Sequence, residues 1–142
     1  MTEMKLRRPV VMVCGDRRIE QVVLLKYLPM LIPGEFFLLT PPGGASRVVP
    51  REEHPAAQCM RFIEDIYTYF EVGADGLILV GHCDICGWAV RMKLISRGIK
   101  PELELAFQLE ELKKGAEFSA RFLPAETPIQ TFCIPPGSLT GH

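Results

Sequence analysis

The reactive side chains of this 142-residue chain gather in two short segments. The first is Cys14-Gly15-Asp16-Arg17-Arg18, a C-x-D-x-R run, and the second is Gly81-His82-Cys83-Asp84-Ile85-Cys86-Gly87. Thiolate sulfur and imidazole nitrogen are the usual tetrahedral ligands of zinc, and a catalytic site keeps one position open for water. Cys14, His82 and Cys86 would supply three ligands for a Zn2+ ion, with Cys83 as a further candidate donor. If Cys83 joins the other three, the site is closed and structural. Cys83 and Cys86 also form a C-x-x-C pair, which elsewhere serves as a zinc knuckle or a redox couple. Asp16, two residues from Arg18, is expected to keep a low pKa and act as an acceptor, although it is equally placed to cap a helix. Asp84 reads as a turn residue, an acceptor near the site or a replacement ligand. Cys59 and Cys133 read as core residues and His54 as a surface residue.

These segments matter only if the fold brings them together. Pro9 to Val13 (PVVMV) is a short, β-branched apolar run, as expected of a buried strand, and it ends at Cys14. The stretch IEQVVLLKYLPML reads as a helix, with Pro29 and then Pro33-Gly34 kinking and ending it. Glu35 to Leu39 reads as a second strand and Thr40 to Arg47 (TPPGGASR) as a loop. From His54 to Val72, apolar residues recur at Ala57, Met60, Ile63, Ile66, Tyr67 and Phe70, the spacing of a helix face. Gly76 to Val80 is the third strand, with the His82–Cys86 segment as the loop leaving its carboxyl end. Helices are expected over Trp88 to Ser96 and over Glu102 to Arg121, the second with exposed charges at Glu110, Glu111, Lys113 and Lys114. Ile129 to Ile134 is expected to add an edge strand.

Strands alternating with helices imply an α/β fold with a mainly parallel central sheet flanked by helices. Ligands of such sheets bind beyond the carboxyl ends of the strands, where both cysteine-bearing segments lie.

The length suits a single domain over 1–142 with a substantial core. A net charge of −1 gives no footprint for nucleic acid or an anionic membrane. The short basic cluster of Lys5, Arg7 and Arg8 reads as a solvated end. No apolar run approaches the roughly 20 residues needed to span a bilayer. The amino terminus lacks the apolar stretch of a secretory signal, so the cytoplasm is the expected compartment. In that reducing setting, clustered cysteines are ligands or redox groups more often than staples.

The two segments resemble the hallmarks of the beta-class carbonic anhydrases: C-x-D-x-R after the first strand and G-H-x-x-C-G after the third. Cys14, Asp16 and Arg18 match the first motif. Gly81, His82, Cys86 and Gly87 match the second, with one extra residue between His and Cys. Gly34-Glu35-Phe36-Phe37 and LILVGH follow the same order, and the similarity spans about residues 9 to 95. The resemblance implies that Cys14, His82 and Cys86 hold zinc, that Asp16 accepts a hydrogen bond from zinc-bound water or, as in some family members, swings onto zinc as a fourth ligand, and that Arg18 orients Asp16. Zinc-bound hydroxide would then convert carbon dioxide to bicarbonate, and the chain would form a homodimer or higher homo-oligomer. Carbon disulfide or carbonyl sulfide hydrolysis would use the same chemistry, and a closed, non-catalytic zinc domain or a Cys83–Cys86 oxidoreductase are the rival readings. Thr40 to Ala45 stands where the family carries Arg-Asn-Ala-Gly, and the family's amino-terminal helical arm has no counterpart.

Overall fold

In β1 (Val10–Met12) and β3 (Leu77–His82) every residue is buried. Successive side chains of a strand point to opposite faces. Val11, Val13, Ile78 and Val80 therefore enter one core, and Val10, Met12, Leu77 and Leu79 enter another. A strand covered on both faces needs no polar alternation, which is why both segments read as continuous apolar runs. β2 (Phe37–Leu39) and β4 (Ile129–Ile134) are the less buried edges of a four-stranded, all-parallel sheet ordered β2-β1-β3-β4. The expected α/β architecture and its carboxyl-terminal edge strand are both present.

This computed structural model describes residues 6–22, 26–32 and 34–139. Lys5, Val23 to Leu25, Pro33 and His142, used in the sequence reading, lie outside the described residues.

The first core is covered by α1 (Arg17–Val22), α2 (Leu28–Leu31) and α4 (Gly87–Arg91) through Ile19, Leu28 and Ala89, and by Leu139 beyond β4. The second is covered by α3 (Ala56–Glu71), with Cys59, Ile63 and Ile66, and by α5 (Pro101–Phe122), with Leu112 and Phe118. Phe62, Tyr69 and Phe70 pack against it, whereas Tyr67, expected on the same apolar face as Phe70, is 42% exposed.

Four expectations are corrected. β3 runs on through Gly81 and His82, because β4 pairs with both, so His82 sits on a strand rather than in a loop. The helix begun at Gly87 stops at Arg91 instead of Ser96, just before Lys93 takes a left-handed backbone conformation that a helix cannot continue through. Glu111 is buried: it accepts a 2.9 Å hydrogen bond from Ser46 Oγ and pairs with Arg51, tying α5 to a 3-10 helix (Gly44–Val48) inside the expected loop. His54 is likewise buried, its Nε2 donating to the Arg47 carbonyl at 2.8 Å and its ring edge-on to Trp88.

Candidate metal centre

The chain leaves β1 to form β2 on one side and returns to form β3 on the other, so the order reverses between β1 and β3. Crevices at such switch points, outside the carboxyl ends of the strands, are where open parallel sheets bind ligands. Met12 pairs with Leu79. Continuing that register sets Cys14 beside Gly81, one step from His82. Two segments 68 residues apart thus meet because two central strands are parallel and in register.

The ligand atoms of Cys14, His82 and Cys86, all buried, lie within 4.8 Å of one another, an arrangement able to hold a metal ion. His82 Nδ1 donates to the Cys83 carbonyl at 2.8 Å. That bond places the proton on Nδ1 and leaves Nε2 as the lone-pair nitrogen, the usual way a metal-binding imidazole is oriented. Nε2 is buried with no hydrogen-bond partner among the described residues. A buried polar atom of this kind is costly unless something occupies it. The donor chemistry, two sulfurs and one imidazole, suits a borderline-soft divalent metal.

Electrostatics favour a charged Cys14. The Cys86 thiol's hydrogen bond is the largest influence holding Cys14 far below the usual thiol range, at about 4; burial opposes it, while His82 and the Gly43 amide assist. Cys86 is pushed up in turn, chiefly by that bond to Cys14 and then by burial. Burial pulls His82 down, but contact with Cys14, the Cys83 carbonyl and the Asp16 charge together outweigh it and raise its pKa.

Cys83 lies outside this cluster. Consecutive residues at the end of an extended strand point to opposite faces, so His82 turns to the first core and Cys83 to the second. There the Cys83 thiol meets Cys133; burial first, then the neighbouring Cys133 and Glu104 charges, push it up to about 12. All five cysteines are free. Cys59 is fully buried in the second core and Cys133 packs against it.

Asp16 and Arg18 sit beside the ligands. Asp16 Oδ1 accepts the Arg18 backbone N–H at 2.9 Å, capping α1, and the guanidinium grips the same carboxylate, with Nη2 2.6 Å from Oδ2. The Arg18 hydrogen bond, more than any other influence, lowers the Asp16 pKa, and the His82 charge adds to the effect. Asp16 is therefore both cap and ionised acceptor. Arg18 also donates from Nη1 to the Asp84 carbonyl at 2.9 Å and from Nη2 to the Ile85 carbonyl at 3.1 Å.

Two contributors, Gly43 and Glu104, escaped the sequence reading, and the part played by Asp84 is now specific. Gly43 N–H donates to Cys14 Sγ at 3.3 Å, so the TPPGG segment folds over the first ligand. Two glycines in tandem after two prolines signal such a turn. The Asp84 carboxylate is no ligand: it accepts the Gly137 and Leu139 amides, each at 2.8 Å, and anchors the segment after β4. Glu104, on the inward stripe of α5, accepts the Ile85 amide. Compared with protein-family models, with curated proteins and with solved structures, the chain matches none of them.

Proposed function

We propose that this chain is a zinc enzyme of the beta carbonic anhydrase type that interconverts carbon dioxide and bicarbonate, working in the cytoplasm as a homodimer or higher homo-oligomer. The observation that carries the reading is the convergence of Cys14, His82 and Cys86 around a His82 Nε2 that has no hydrogen-bond partner among the described residues, with the Asp16–Arg18 pair alongside. Ligand atoms around one zinc stand about 3.5–4 Å apart, from bond lengths of about 2.0–2.3 Å, so a cluster within 4.8 Å needs little contraction. Bound there, zinc would supply Lewis-acid activation of water at neutral pH.

The protein's own part is orientation. The Cys83 carbonyl fixes the His82 ring, and Gly43 N–H steadies the Cys14 thiolate. Asp16, kept ionised by Arg18, is an acceptor able to hold the reacting water in one orientation. A closed four-ligand site is disfavoured because Cys83 faces Cys133 instead. The same separation disfavours a Cys83–Cys86 redox couple.

Two measurements decide. X-ray absorption of the zinc-loaded protein is expected to give two sulfurs, one nitrogen and an oxygen; three sulfurs and one nitrogen would sink the enzyme reading. Stopped-flow assay should then show carbon dioxide hydration that falls by roughly 10²-fold or more in Asp16→Asn. Asparagine caps helices as well as aspartate does, so the fold should survive the change, and undiminished activity would remove Asp16 from the mechanism. Sedimentation of the loaded protein tests the oligomer.

A further inference from the structure

The segment from His82 to Cys86 is one residue longer than the motif it resembles, and its backbone shows how the extra length is absorbed. Asp84 and Ile85 both take left-handed conformations, with φ of 61° and 68°. Neither is a glycine, and a β-branched residue is seldom found there. Such a turn persists only when its surroundings hold it. Here the two carbonyls, the Asp84 carboxylate and the Ile85 amide each have a holder. Arg18 binds the carbonyls of Asp84 and Ile85, and backbone amides beyond β4 bind the Asp84 carboxylate. The Ile85 amide is held by Glu104 on α5, at 3.0 and 3.2 Å to its two carboxylate oxygens.

Glu104 is 2% exposed. Burying a carboxylate against a single amide is a poor way to stabilise a fold, since an apolar side chain of similar volume would avoid the desolvation cost. The group makes sense if the geometry of the turn matters more than its stability. Cys86 follows Ile85 directly, so whatever fixes the Ile85 peptide also fixes where the third ligand begins. We infer that Glu104 is a positioning residue for the metal centre: its carboxylate pins the Ile85 amide so that the lengthened turn delivers Cys86 to Cys14 and His82. The inference rests on the metal reading above and extends it to α5, an element outside both motifs.

The test uses Co2+ as probe on the full-length metal-free protein, read by thiolate-to-cobalt charge-transfer absorption and by the visible bands of the ion. Wild type should bind one Co2+ per chain with a tetrahedral signature; if it binds none, the metal reading itself fails, whatever the variants do. Glu104→Met keeps the volume and removes the acceptor. It should fold, yet bind Co2+ about 10- to 100-fold more weakly, the usual cost of losing a group that orients a ligand, with weakened charge-transfer absorption. Glu104→Gln keeps one acceptor oxygen and should restore both affinity and spectrum. Wild-type affinity and spectrum in Glu104→Met would overturn the assignment. So would a Glu104→Gln protein as impaired as Glu104→Met, or a Glu104→Met chain that does not fold, which would give the carboxylate a purely structural role.

Discussion

His82 and Cys83 are neighbours in sequence and belong to opposite faces of the sheet, and that separation determines which thiols can share an ion. Cys83 cannot reach the cluster without reversing the end of β3, where its amide is held by the Ile134 carbonyl at 3.2 Å. Cys83→Ser is therefore expected to keep one metal per chain by elemental analysis, while Cys14→Ser and Cys86→Ser lose most of it. A Cys83→Ser protein that loses its metal would return Cys83 to the ligand set. The strand ends and motif matches made Cys14, His82 and Cys86 readable as candidates from sequence alone. The sidedness of Cys83 was open to the same reading, since it follows from carrying the alternation of β3 three residues further than the apolar run. What could not be read was Arg18 binding the Asp84 and Ile85 carbonyls, because nothing in the spacing shows two successive left-handed residues that are not glycine.

Among the elements, the turn after β2 carries more of the site than its composition suggests. Gly43 and Gly44 have φ of 91° and 53°, and a Cβ on them would lie 2.6 Å from Trp88 Cδ2 and 2.6 Å from the Cys14 backbone nitrogen respectively. Only glycine fits both the conformation and the space, and the fit brings Gly43 N–H onto the Cys14 sulfur. Gly43→Ala should lower unfolding free energy by about 2 kcal/mol or more, from the left-handed penalty plus the clash, measured by urea denaturation of the metal-free protein. An unchanged midpoint would mean that Trp88 moves aside freely. The tandem glycines were visible in the sequence, but the thiol they approach was not, because the contact joins residues that only the β1–β2 pairing brings together. α5 shows the reverse limit. Its charges read as a solvated face, yet Glu104, Gln108 and Glu111 fall at i, i+4 and i+7 on the stripe that also carries Leu112 and Phe118, and all three are buried. Their partners, Ile85 for Glu104 and Ser46 and Arg51 for Glu111, come from distant segments, so of the charges expected to be exposed Glu110, Lys113 and Lys114 are, while Glu111 is not.

At the scale of the molecule, one sheet separates two cores, and the candidate centre lies where the first core meets the switch point. Around the second core, the Arg51–Glu111 pair ties α5 to the segment after the 3-10 helix, with side chains 15% and 5% exposed. Removing Glu111 alone leaves the guanidinium buried without its charge partner, so Glu111→Ala should cost about 3 kcal/mol. Replacing both partners by methionine should cost far less. Equal losses in the single and double variants would show that volume, rather than charge, matters there. Metal removal acts on the other core. β1, α1, β3 and α4 or their flanking loops carry the three ligands and the Asp16–Arg18 pair, so an ion at the centre ties together segments that unfolding must separate. Such an ion binds the folded chain in preference to the unfolded one. At a free concentration 100-fold above its dissociation constant it adds about 2.7 kcal/mol. For a domain of this size that corresponds to a rise in Tm of roughly 10 °C, read by calorimetry with and without a chelator. Cys86→Ser should abolish most of the rise while leaving the chelated Tm close to wild type. A rise that survives in Cys86→Ser would place the bound metal elsewhere.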